Sequence, residues 1–123
     1  MGFQYVVLRC VPRVDREEFV NVGVVLYCHE ADFLACASYV DDARLHALAA
    51  DVDVDAVRSA LAAADAVCRG EVSAGAAGRA ALGTRFGFLS APRSTVVQPG
   101  PIHGGLTGDP ATELERLLVT LVR

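Results

Sequence analysis

Phe19-Val20-Asn21-Val22-Gly23-Val24-Val25-Leu26-Tyr27-Cys28-His29 is the stretch that settles the fold class. Valine and aromatic side chains dominate it, and these pack well on a pleated surface, so it reads as a strand from Phe19 to His29. Strict alternation puts Val20, Val22, Val24, Leu26 and Cys28 on one unbroken apolar face and Phe19, Asn21, Gly23, Val25 and Tyr27 on the other. Glu30-Ala31-Asp32 is a short polar break, so Phe33 to Val40 reads as a strand returning beside the first in a hairpin. Upstream, Phe3, Tyr5, Val7 and Arg9 alternate with Gln4, Val6, Leu8 and Cys10 until Pro12, which gives a further strand ahead of the charged connector 13–18.

Beyond residue 40 the apolar period lengthens. Asp41 or Asp42 caps a short helix carrying Leu45 and Leu48. Asp53 or Asp55 opens a second helix, with Val54, Val57, Leu61, Ala64 and Cys68 on one stripe and Gly70 as its stop. Residues 71–83, rich in glycine and alanine, read as a loop with room for one helical turn. Ser94 to Gln98 is β-branched and supplies a fourth strand before Pro99-Gly100-Pro101 breaks it. Asp109 followed by Pro110 starts the clearest helix, whose Leu114, Leu117, Leu118, Leu121 and Val122 form a core stripe. Strands first and helices after make a single α+β domain over residues 1–123, an antiparallel sheet of three to four strands with helices on one face. The face bearing Arg9, Asn21 and Gly23 then looks away from the helices. Phe3, Tyr5, Phe19 and Tyr27 lie on that same face and are too apolar to be left bare, so it calls for partial cover.

Composition narrows the function. The chain is 53% hydrophobic and 21% charged, which excludes a disordered chain. No run approaches the ~20 apolar residues that span a bilayer, and Met1-Gly2-Phe3-Gln4-Tyr5 lacks the basic start of a signal peptide, so a cytoplasmic protein with no membrane partner is expected. A net charge of -4 without a basic cluster argues against nucleic acid. All basic residues are arginine, which fits a high-GC bacterial coding bias. Cys10, Cys28, Cys36 and Cys68 have no metal-ligand spacing, and the adjacent Cys28 and His29 of one strand point to opposite faces, so they read as reduced core thiols. Asp51, Asp53 and Asp55 lack the glycine and closing glutamate of a calcium loop. No metal and no cofactor is expected.

Polar chemistry concentrates between Arg85 and Gly105, where Arg85, Arg93, Ser94, Thr95, Gln98 and His103 lie among glycines and prolines. Guanidinium groups offer forked donors to anions, and glycine lets backbone amides approach a ligand closely. With Arg9, Asn21 and Gly23 from the sheet, these residues make a candidate ligand-binding site in which Gly23 gives clearance and the arginines give charge. Glu18-Phe19-Val20-Asn21-Val22-Gly23-Val24, then Arg85-Phe86, then Arg93-Ser94-Thr95-Val96-Val97-Gln98 with His103 and Gly105, resembles the domain of unknown function 3037 family of small bacterial proteins. The resemblance covers Tyr5 to the closing helix. It implies an accessory or partner role, beside a HipA-like kinase-fold protein. Many relatives carry serine in the proline-rich turn where this chain has Gly100, so no hydroxyl role is carried over there.

These readings point to a non-catalytic binding or accessory module that recognises an anionic or polar ligand or a protein partner. The alternative is a small hydrolase or transferase acting on a phosphate or acyl substrate, with His103 as acid or base beside Ser94 or Thr95. It lacks a nucleophile elbow or any other motif that identifies catalytic residues. A homodimer pairing its aromatic sheet faces is a third option.

Overall fold

Three aspartates start helices as the sequence suggests. Asp41 accepts from the Arg44 amide at 3.1 Å to open α1 (Asp42–Leu48), and Asp53 accepts from Ala56 at 3.0 Å to open α2 (Val54–Arg69). Asp109, ahead of Pro110, accepts from Thr112 to open α5 (Pro110–Leu121). Gly70 ends α2 in the left-handed region with φ 68°, where its missing Cβ avoids strain. The computed structural model describes all residues 1–123.

The strands are β1 (Gly2–Cys10), β2 (Val20–Cys28), β3 (Phe33–Ser38), β4 (Val97–Pro99) and β5 (His103–Leu106), and every pairing is antiparallel. Their order is β3-β2-β1-β4, with β5 also on β1. β4 takes Leu8 to Cys10 and β5 takes Gly2 to Tyr5, so the two share one edge of β1 in tandem. The α+β class and the antiparallel sheet are as expected. The sheet has five strands rather than three or four, because the chain resumes pairing after the Pro99-Gly100-Pro101 break.

Helices cover both faces of the sheet rather than one, and an irregularity in β2 is the cause. Leu8 pairs with Gly23 but Arg9 pairs with Asn21, so Val22 is an extra residue in β2. A bulge of this kind reverses the alternation. Val20 and Val22 therefore join Val25 and Tyr27 in the core with α1, α2 and the segment around Phe86, while Val24, Leu26 and Cys28 pack on the other side against Leu114, Leu117 and Leu118 of α5. The expected single face Val20 to Cys28 is thus divided between two cores. Five consecutive buried residues, Val22 to Leu26, are the signature of a strand covered twice.

The segment expected to be a loop over 71–83 is more ordered. A 3-10 turn (Val72–Ala74) and α3 (Ala76–Arg79) lead into α4 (Leu82–Ser90), which buries Phe86 and Leu89 in the α2-side core. Cys10, Cys28 and Cys68 are buried free thiols and Cys36 is half-buried. Burial pushes the Cys36 and Cys68 thiols up to about 12, with nearby acidic charge adding to the effect.

Candidate functional site

Phe3, Tyr5, Val7 and Arg9 of β1 face the α5 side, where α5 packs on β2 and β3 and leaves much of the β1, β4 and β5 half open. In the pairing register Arg9 lies between Asn21 and Gln98, so three polar side chains meet on this face. The Arg9 guanidinium sits 4.1 Å above the Phe19 ring centroid, a cation–π contact. Gly100 makes room for it, because a Cβ there would lie 2.9 Å from Arg9 Cζ. Arg9 enters no side-chain hydrogen bond or ion pair of the chain, and its Nε is buried without a partner.

Its neighbours are partly committed. Asn21 Nδ2 donates to the Leu121 carbonyl at 3.0 Å, tying down the C-terminal end of α5, while Asn21 Oδ1 is buried and unpaired. Gln98 Nε2 donates to the Thr95 carbonyl at 2.9 Å. A buried donor on Arg9 and a buried acceptor on Asn21, two residues paired in the sheet register, are each left without a partner in the chain. Farther along the same face, His103 of β5 pairs with Tyr5, the ring centroids 5.2 Å apart. The imidazole is exposed.

The remaining residues of the sequence-derived set go elsewhere. Arg85 donates from Nε to Ala80 O at 2.7 Å, and from one terminal nitrogen to Val67 O and Cys68 O at 3.2 and 3.0 Å, so it clasps the end of α2. Gly23 falls on the α2 side through the bulge. A Cβ there would lie 3.1 Å from Ala37 O and 3.3 Å from Leu61, so the glycine serves helix packing. Arg93 and Thr95 line a cavity of about 710 Å³ between α2 and β4, together with Ala64, Val67 and Leu89. Arg93 donates to Phe88 O at 2.5 Å and lies over the Phe88 ring, and the Thr95 hydroxyl donates to Val97 O at 2.8 Å. Ser94 is exposed and its hydroxyl makes no hydrogen bond within the chain.

Of nine residues singled out in the sequence, the fold gathers Arg9, Asn21, Gln98 and His103 on one face and places Arg93 and Thr95 on the other. Thr95 and His103, one of the two hydroxyl–imidazole pairs considered, are separated by the sheet. Phe19 and Gly100 were missed as parts of the Arg9 environment. Their signals were an aromatic two residues before Asn21 and a glycine held between two prolines.

No curated protein and no solved structure matches the chain. Residues 5–122 match the family described as Protein of unknown function (DUF3037), and since the match takes in nearly the whole chain, this protein belongs to that family.

Proposed function

We propose that the domain is a non-catalytic accessory module that docks on a partner protein through the open half of its sheet, with Arg9 receiving an acidic group of the partner. The observation that carries this reading is the Arg9 guanidinium: half-buried, clamped over Phe19, and without any internal anion or acceptor. A desolvated cation left unpaired is unfavourable, and an incoming carboxylate relieves it through a charge-assisted bond. The surroundings suit an interface. Phe19 is 44% exposed, and Tyr5 and His103 continue an aromatic strip along the strands. Arginine and aromatic side chains are the residue types that anchor protein interfaces. The kinase-fold protein implied by the resemblance is the first partner to test.

The test is a quantitative pull-down from the native host with wild type, Arg9→Met and Arg93→Met. One protein should be retained by wild type and Arg93→Met, lost from Arg9→Met, and weakened by added salt. A profile unchanged by Arg9→Met refutes the reading, and loss on Arg93→Met alone moves the site to the opposite face.

A further inference from the structure

The two edges of the sheet are finished differently. On the β1 side the edge is cut by Pro99-Gly100-Pro101 into the short β4 and β5, a device that prevents another chain from pairing along it. The opposite edge is β3, Phe33-Leu34-Ala35-Cys36-Ala37-Ser38, six residues with no charge and no proline, paired to β2 in continuous register. The Tyr39 amide donates to Val22 O at 2.9 Å. Counting back from that bond, antiparallel alternation turns the N–H and C=O groups of Leu34, Cys36 and Ser38 away from β2. None of the turn, loop or cap hydrogen bonds reaches them.

A second feature adjoins this edge. A groove of about 580 Å³ runs between β3 and α2, lined by Cys36, Ser38, Leu61 and Ala62 together with Arg58 and Asp65. Both charges are already paired, Arg58 with Asp42 at 2.6 Å and Asp65 with Arg69 at 2.8 Å, so the groove asks for an uncharged side chain. A free strand edge beside a helix-walled groove is the geometry of strand addition, in which backbone bonds hold a peptide and the groove reads alternate side chains.

We propose that β3 is a docking edge for an extended, uncharged segment of another protein, which adds as a further strand against Leu34, Cys36 and Ser38 and sets an apolar side chain into the groove. A second copy of the chain is the competing occupant of this edge, and self-association separates the two cases. The site is independent of Arg9, which lies toward the opposite edge of the sheet.

The experiment is selection of random displayed decapeptides on the full chain, followed by binding to Ser38→Pro and Ala62→Trp and by amide hydrogen exchange with the selected peptides. Ser38→Pro removes an outward N–H without a ladder bond to β2, and Ala62→Trp fills the groove from an exposed position on α2, so a folding failure of one leaves the other. The selected peptides should show apolar residues at every second position. They should lose about tenfold or more in affinity to each folded variant, bind Arg9→Met as well as wild type, and slow exchange at Leu34, Cys36 and Ser38. No enrichment, equal binding to the folded variants, or protection confined to other amides overturns the proposal. So does self-association that Ser38→Pro abolishes, which puts a second copy on the edge.

Discussion

Arg85 and Arg9 resemble each other as candidate anion binders in the sequence, yet the structure assigns them opposite consequences when the charge is removed. Arg85→Met keeps most of the apolar stem but deletes three hydrogen bonds to Ala80, Val67 and Cys68 carbonyls. Hydrogen bonds involving a charged group are worth about 1.5–3 kcal/mol each before the entropy of fixing the side chain is subtracted, and the three share one guanidinium. A net loss of about 2–3 kcal/mol follows, roughly 6–12 °C in melting temperature for a domain of this size. Arg9→Met deletes no hydrogen bond. It loses a cation–π contact worth about 0.5–1 kcal/mol and gains by removing an unpaired, partly desolvated charge, so stability should stay within about 0.5 kcal/mol of wild type. Urea unfolding at neutral pH measures both, with an unchanged slope licensing the comparison. An Arg85→Met variant within about 0.5 kcal/mol of wild type, or an Arg9→Met variant that costs as much as Arg85→Met, contradicts these assigned roles.

Two further outcomes follow from the packing. Gly23→Val places a side chain against Ala37 O, a backbone atom that cannot swing aside, and against Leu61; it should cost about 1–3 kcal/mol in the same urea assay, with non-additive coupling to Leu61→Ala. The Cys36 and Cys68 thiols, raised from the usual 9.0 to about 12, stay protonated in the fold while the unfolded chain ionises first. Their contribution is therefore complete below about pH 9 and is lost as pH rises toward 12, and a Cys36→Ala/Cys68→Ala variant should show a shallower alkaline decline in stability. A thiol reagent at pH 8 should modify the buried Cys68 only on unfolding.

Local signals in the sequence were reliable wherever a single residue decides a backbone state. Asp41, Asp53 and Asp109 cap helices and Gly70 stops one, because an N-cap oxygen or a left-handed glycine acts within one turn. α4 was hidden because Gly83, Gly87 and Ser90 dilute its propensity, although Leu82, Phe86 and Leu89 carry the helical spacing. β5 was hidden because His103-Gly104-Gly105-Leu106 has little strand character of its own and is held by the backbone of β1. Half of the candidate site was visible for a related reason. Gln98 and His103 reach the Arg9 face through edge pairing with β1, whereas Arg85 and Arg93 belong to α4 and the loop after it, whose side of the sheet no local pattern discloses.

The bulge at Val22 explains why the sheet could not be read as one apolar face and one polar face. Valine recurs at 20, 22 and 24, so strict alternation continues through the irregularity without a visible break. The extra residue keeps Asn21 on the α5 side, paired with Arg9 in the register and with its amide on the Leu121 carbonyl, while Gly23 turns to α2 and accommodates Leu61. Without that reversal Asn21 and Gly23 would share a face, and either Leu61 would lose its clearance or α5 its anchor. The same irregularity that lets helices pack on both faces therefore also sets Arg9 and Asn21, each with an unpaired buried atom, opposite each other in the register, and the candidate docking chemistry is a by-product of how the two cores are divided.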